Sequence, residues 1–164
     1  MTIKERIKKI YEDYLNLIVP LIEQYEVLEN EFPVGVLNEI RALFTHMAKA
    51  SNTQGKICSK EVGKAEGHIT RLLRDCYKYN CVALEKKYRE YISSLADELR
   101  QSNQMSELII IHDSAIDSLF MAKCLEGSVS SYEKEKEIYD HYEEAYKSYI
   151  EVIERLKRLI SKSI

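Results

Sequence analysis

The sequence predicts an all-α fold, an elongated bundle of about five helices that includes long ones. Apolar residues recur at helical spacing along most of the 164 residues, and no stretch alternates apolar and polar residues with the period of a strand. Glycine and proline, which interrupt helices, are scarce at five and two residues. The length and an apolar fraction of 45% are typical of one globular domain, so we expect residues 1–164 to form a single helical-bundle domain.

The first helix is predicted from about Thr2 to Glu31, and Thr2 with Glu5 fits a capping box at its start. Two neighbouring apolar rows follow it, which favours a broad buried face. The rows are Ile7, Ile10, Tyr14, Leu17, Leu21 and Leu28, and beside them Tyr11, Leu15, Ile18, Ile22 and Tyr25. Pro20 should kink this helix, because it has no backbone N–H and crowds the preceding turn.

Three further segments carry helical spacing before the last helix. The second helix is predicted from about Val34 to Ala50, after the connection EFPVG. Its predicted apolar stripe is Leu37, Ile40, Phe44 and Met47, widened by Val36 and Leu43. A third helix is expected from about Ser59, after the loop sequence SNTQG, to about Arg100, and a fourth from about Met105 to Leu125.

The last helix is predicted to begin at a capping box of Ser130 and Glu133 and to run to about Ser161. Its apolar seam alternates steps of three and four residues, which is the heptad pattern of packed helices. The seam consists of Tyr139, Tyr142, Tyr146, Tyr149, Ile153, Leu156 and Ile160. Tyrosine offers contact area and a hydroxyl that needs a partner, so residues 128–164 suit an assembly interface. The alternative is an intramolecular seam with its hydroxyls at the rim.

Charge, cysteine usage and apolar runs limit the class of protein. A net charge of −3 argues against a general nucleic-acid coat, and no DNA-specific signal is present. The N-terminal sequence MTIKERIKKIYEDY has no signal-peptide core, and the four cysteines include no Cys-x-x-Cys pair, so we expect a cytoplasmic protein with reduced thiols. The longest apolar runs are too short to span a bilayer, so no membrane partner is expected.

Acidic and basic residues are unevenly distributed along the chain. No lysine or arginine occurs between Ile10 and Ile40, whereas basic residues dominate from Lys56 to Arg89. We therefore expect the acidic first helix to lie beside the basic third one. The alternative is that the basic segment faces an anionic partner.

The stretch NEIRALFTHMAKA, residues 38–50, carries Arg41 and His46 on the second predicted helix. Residues five apart are separated by about 140° around a helix, so these side chains flank the apolar stripe on opposite sides. One helix cannot bring both to the same substrate atom. They are either two polar residues beside a buried stripe or half of a site that another helix or a second protomer completes.

The sequence RALFTH resembles the Arg-x4–6-His signature of the HEPN superfamily, all-α proteins that include bacterial RNase toxins and defence components. The resemblance implies a dimer in which Arg and His of two protomers meet and cleave RNA without a metal. Arg41 would then stabilise the phosphorane-like charge, and His46 would activate the ribose 2′-hydroxyl or protonate the leaving oxygen. It also implies a place in a bacterial defence or toxin–antitoxin system.

A second polar row is predicted along one edge of the third helix, and it consists of Lys64, His68, Arg71, Asp75 and Lys78. Asp75 follows Arg71 by four residues, which favours an ion pair between them. If the second and third helices pack antiparallel, Glu39 and His46 can meet this row in a semi-buried network that sets the protonation state of a histidine. The alternative is a surface row with local salt bridges.

No spacing in the chain indicates a cofactor or a metal. Tight ligand pairs, Glu-x-x-His motifs and phosphate-binding loops are missing from the sequence. His112 lies inside the predicted apolar stripe of the fourth helix and is expected to be a core histidine with a polar partner; the stripe consists of Met105, Ile109, His112, Ile116 and Leu119. Three functions remain: a non-catalytic module that forms homo-oligomers or docks on a larger protein, a HEPN-like RNase with RNA as substrate, and a sensor of small molecules or nucleotides lined by His68, Arg71 and tyrosines.

Overall fold

The computed structural model describes residues 1–51, 57–95, 103–126 and 132–161. Within these ranges the regular elements are all helices and no strand occurs, so the predicted all-α helical bundle is confirmed. The helices are α1 (α-helical Ile3–Asp13, π-helical Tyr14–Ile18, α-helical Val19–Glu29), α2 (Val34–Ser51), α3 (Ser59–Ser94), α4 (Asn103–Glu126) and α5 (Tyr132–Ser161). Predictions for the SNTQG loop, the helix end near Arg100 and the capping box at Ser130 lie wholly or partly outside the described residues.

Two compact units make up the chain, Met1–Cys76 and Tyr77–Ile164. The first unit contains α1, α2 and the first part of α3, and the second contains the remainder of α3 with α4 and α5. The expectation of one domain over residues 1–164 stays a prediction. Among the described helices, none has the length and apolar character needed to cross a bilayer.

The predicted features of α1 take a defined form. Thr2 Oγ1 accepts a hydrogen bond from the Glu5 N–H at 3.3 Å, and Glu5 Oε2 accepts one from the Thr2 N–H at 2.6 Å, which completes the capping box. The interruption expected at Pro20 is a π-helical turn just before it, where the Val19 N–H donates to the Tyr14 carbonyl oxygen. Pro20 has no N–H to donate, and the extra residue of the π turn lets the helix continue past it.

The π turn changes which predicted apolar rows of α1 are buried. Before the turn, Ile10 of the first row is buried. Within the turn, Ile18 of the second row is buried and Leu17 of the first row is exposed, and after the turn Leu21 and Ile22, one from each row, are both buried. One additional residue rotates the following face by about 100°, so neither row is buried along its whole length.

The buried face of α2 differs from the predicted stripe. Val36, Leu43 and Met47 are buried, whereas Leu37 and Phe44 are 53% and 42% exposed. The prediction was wrong at Leu37 and Phe44 because each follows a buried residue and lies about 100° further around the helix. Phe44 instead meets the ring of Tyr14 on α1 edge to face, with a centroid separation of 5.5 Å.

A bidentate ion pair joins α1 to α3 in the first unit. Arg6 Nε donates to Glu66 Oε1 at 2.7 Å and Arg6 Nη2 donates to Glu66 Oε2 at 2.6 Å, while Arg6 Nη1 reaches Ser59 Oγ at 3.1 Å. In this pair α1 supplies the cation and α3 the carboxylate. The expectation that acidic residues of the first helix lie beside basic residues of the third stays a prediction.

In the second unit, the heptad seam of α5 forms the core. Tyr142, Tyr149, Ile153 and Leu156 are buried, and Tyr139, Tyr146 and Ile160 are partly exposed. The ring of Tyr77 on α3 lies 5.6 Å from that of Tyr139 and 5.1 Å from that of Tyr146. These contacts are those of an intramolecular bundle seam. Of the two predicted roles for the α5 tyrosines, this is the one that leaves less of their surface for a partner protein.

Candidate functional site

Two histidines from neighbouring helices lie side by side in the first unit. His46 of α2 and His68 of α3 have ring centroids 5.2 Å apart and ring planes within 21° of each other. Their side chains are largely covered, with 19% and 13% of the surface exposed. The structure therefore brings together one member of the RALFTH pair and one member of the polar row on α3.

The carboxylate of Glu61 holds the ring of His46. His46 Nδ1 lies 2.7 Å from Glu61 Oε2, and Lys64 Nζ donates to Glu61 Oε1 at 2.7 Å. The hydrogen bonds from Lys64 and then His46 lower the pKa of Glu61 to about 2, so this carboxylate is ionised at neutral pH. A carboxylate at Nδ1 fixes the tautomer that carries its proton there and leaves Nε2 for other contacts.

Glu39 holds the ring of His68 in the same way. Glu39 Oε2 lies 2.7 Å from His68 Nδ1 and accepts from Arg71 Nε at 3.0 Å. Burial opposes ionisation of Glu39, but the hydrogen bonds from His68 and Arg71 outweigh it and lower the pKa of that carboxyl. Arg71 Nη2 also lies 2.8 Å from His68 Nδ1. His68 Nδ1 therefore lies between an acceptor, the Glu39 carboxylate, and a donor, the Arg71 guanidinium.

Asp75 and Arg41, the two remaining predicted residues, form no hydrogen bond or ion pair with these rings within the described ranges. Arg71 pairs with Glu39 across the helices rather than with Asp75, whose carboxylate Oδ1 instead lies 3.3 Å from Arg74 Nε. The expected ion pair between Arg71 and Asp75 was therefore wrong, because a cross-helix carboxylate was within reach. Arg41 is exposed, and within the described ranges its guanidinium has no ion pair or hydrogen bond.

A second histidine network occupies the core of the other unit. His112 of α4 is buried, and its Nε2 lies 2.7 Å from Glu85 Oε2 of α3. Its ring stacks on Tyr88 with centroids 3.8 Å apart. Glu85 also accepts from Arg89 Nε at 2.6 Å and from the hydroxyl of Tyr149. His112 thus has the polar partner expected of a core histidine.

Glu85 and Glu61 were missed at the sequence level. Both are single acidic residues on α3, and the local signal at each is only a basic residue three or four positions later, Lys64 or Arg89. Such spacing is common on exposed helices. The feature that gives them a role is a histidine on another helix, which a single sequence does not reveal.

The most apolar exposed surface of the second unit lies on α4. Five large residues there are 42–69% exposed, and we call them the outer face of α4: Ile109, Ile110, Ile116, Phe120 and Met121. The opposite side of the helix is buried, through the large residues Met105, Leu108 and His112 and the small residues Ala115, Ser118 and Ala122. Five exposed large apolar side chains on the outer side are more than a helix that faces only water usually carries.

Neither metal chemistry nor a known relative assigns these sites a role. Within the described ranges, no group of three or more His, Cys, Asp or Glu side chains is placed to hold a metal ion. No family model, no curated protein and no solved structure matches the chain. The class of protein defined so far is an all-α helical bundle with two carboxylate–histidine networks and one exposed apolar helix face.

Proposed function

We propose that the chain is a non-catalytic helical assembly module that pairs with a second copy of itself through the outer face of α4. The supporting observation is that apolar surface. With about 150–250 Å² for a large side chain and exposures of 42–69%, the five residues present roughly 500 Å² to solvent. That equals the largest apolar patches of ordinary monomers, which mark interaction sites.

The size of the patch and its sequence both fit a second copy as the occupant. Two such faces would bury roughly 1,000 Å² in total, the lower limit for a specific interface. Ile109, Asp113, Ile116 and Phe120 follow steps of four, three and four residues, which is heptad spacing. An antiparallel pair centred between Ser114 and Ala115 sets Ile109 opposite Phe120 and Asp113 opposite Ile116. An in-register parallel pair would place the two Asp113 carboxylates together, at an electrostatic cost.

This assignment moves the predicted interface from the α5 seam to α4, since the seam tyrosines are mostly used inside the unit. The predicted setting, an accessory component of a bacterial defence or toxin–antitoxin system, rests on the resemblance of RALFTH alone and stays a prediction.

Sedimentation equilibrium of the full chain tests the proposal. We expect a dimer with a dissociation constant of about 1–100 μM, as an interface of this size gives. A double variant, Ile116→Asp with Phe120→Asp, should be monomeric with unchanged helicity. Val82→Asp is the matched control, because Val82 is an exposed apolar residue on α3 of the same unit. A wild-type monomer at about 100 μM, or equal dissociation by the control, would overturn the proposal.

A second candidate is metal-independent RNA cleavage by a HEPN-like dimer. The favouring observation is that Glu61 holds His46 through Nδ1, while the Arg41 side chain is exposed and could reach a partner protomer. RNA incubated with the protein and a chelator should then be cut, and Arg41→Ala and His46→Ala should each abolish cleavage. Lys49→Ala is the control for general loss of positive charge on the same helix. RNA left intact by the wild-type protein would exclude this candidate.

A further inference from the structure

His46 and His68 present two ring nitrogens that nothing described so far uses. Both Nδ1 atoms face carboxylates, and within the described ranges neither Nε2 has a hydrogen-bond partner. We propose that these two Nε2 atoms bind one phosphoryl group, as inorganic phosphate or as a small phosphate ester. The proposal is independent of assembly through α4.

The electrostatics of the cluster favour an anion once the rings are protonated. Glu39 and Glu61 are offset by Lys64 and Arg71, so the four fixed charges sum to zero. A further charged pair between helices of this unit, Arg6 of α1 with Glu66 of α3, is neutral by itself. A proton on an Nε2 atom is therefore not cancelled by the fixed charges around it, and it supplies an N–H that can donate to an anion.

Geometry separates a phosphoryl group from a metal ion. A phosphoryl group carries three strong acceptor oxygens, so two nearly parallel rings 5.2 Å apart can each donate to a different oxygen. A metal ion would need both lone pairs to converge on one point about 2.0–2.1 Å from each nitrogen. It would also need further ligands, and among the described residues no third metal-binding side chain joins the pair.

Calorimetric titration of the full chain with inorganic phosphate tests the site. We expect a dissociation constant of about 1 mM or less near pH 6. Affinity should be lower at pH 8 than at pH 6, because an Nε2 atom donates to a phosphate oxygen only while it carries a proton. His46→Gln and His68→Gln should each weaken binding at least about tenfold. His141→Gln is the matched control, since His141 lies on α5 with only a distant carboxylate, Glu144 Oε2 at 3.8 Å.

Two further measurements keep the outcome decisive. If a glutamine variant unfolds, NMR of the histidine side-chain nitrogens in the wild-type protein tests the site instead. Added phosphate should shift the Nε2 signals of His46 and His68 and leave those of His141 unchanged. Adenosine monophosphate that binds more tightly than phosphate identifies an ester as the ligand, and equal binding identifies free phosphate. Lack of saturation at about 20 mM phosphate, unchanged affinity in both glutamine variants, or affinity that rises with pH would each overturn the proposal.

Discussion

Replacing Glu85 with alanine should destabilise the second unit far more than removing an ordinary surface carboxylate. Glu85 accepts hydrogen bonds from His112 Nε2 and from the Tyr149 hydroxyl, and both of these side chains are buried. A buried donor that loses its acceptor costs about 1–3 kcal/mol, and two donors with partial rehydration give about 2–4 kcal/mol. The third partner, Arg89, has a side chain that is 76% exposed, so its lost ion pair adds little.

Urea unfolding followed by far-UV circular dichroism measures this loss. With a denaturant slope of about 2 kcal/mol per molar, the midpoint should fall by about 1–2 M while the slope stays unchanged. Glu90→Ala is the control, because Glu90 on the same helix is half exposed and pairs with the lysine Lys87 rather than with a buried donor, and its loss should cost about 0.5 kcal/mol or less. Glu85→Gln keeps an acceptor and should lie between the two. Equal midpoints for Glu85→Ala and Glu90→Ala would refute the reasoning.

Three other predictions follow from the same contacts. The folded pKa of Glu61 is about 2, below the usual value, so Glu61 contributes stability that is complete above about pH 5 and lost as pH falls towards 2. Glu61→Gln should therefore flatten the acid side of a plot of melting temperature against pH, and parallel plots for the variant and the wild type would contradict this. Burial raises the pKa of Cys76 and Cys81 to about 12, so mass spectrometry after iodoacetamide treatment of the folded protein should find label only on Cys58 and Cys124. Deleting α5 should abolish the helical signal of the second unit, because the α5 seam supplies much of its core. If the truncated protein folds and loses only its ability to assemble, the α5 seam is an assembly interface instead.

Local signals in the sequence were sufficient for the helices and for part of the first site. The capping box at Thr2 and the scarcity of helix breakers predict where helices begin and end. The shared edge of α3 also indicated that Glu39 could reach His68 and Arg71, and the structure brings these three together. Spacing along one helix therefore identified side chains that share a face.

What the sequence could not supply is the choice of partner across helices. The π turn at Tyr14–Ile18 adds one residue to a turn of α1, so neither of its two equally apolar rows stays buried from end to end. Glu85 faces His112 only because α3 and α4 pack at that level. Neither event leaves a periodic signal within one segment.

The helix α4 also shows what spacing along one segment cannot predict, namely which of its apolar residues are buried. The predicted stripe through Met105, Ile109 and Ile116 mixes buried and exposed positions, because apolar residues surround this helix and its spacing cannot separate inside from outside. Packing against neighbouring helices separates them: Leu108 and Ala115 are buried, and Ile109 and Ile116 remain outside. A group of exposed large apolar side chains on one helix is typical of an interaction site. The outer face of α4 is therefore the surface at which an interaction partner should be sought first.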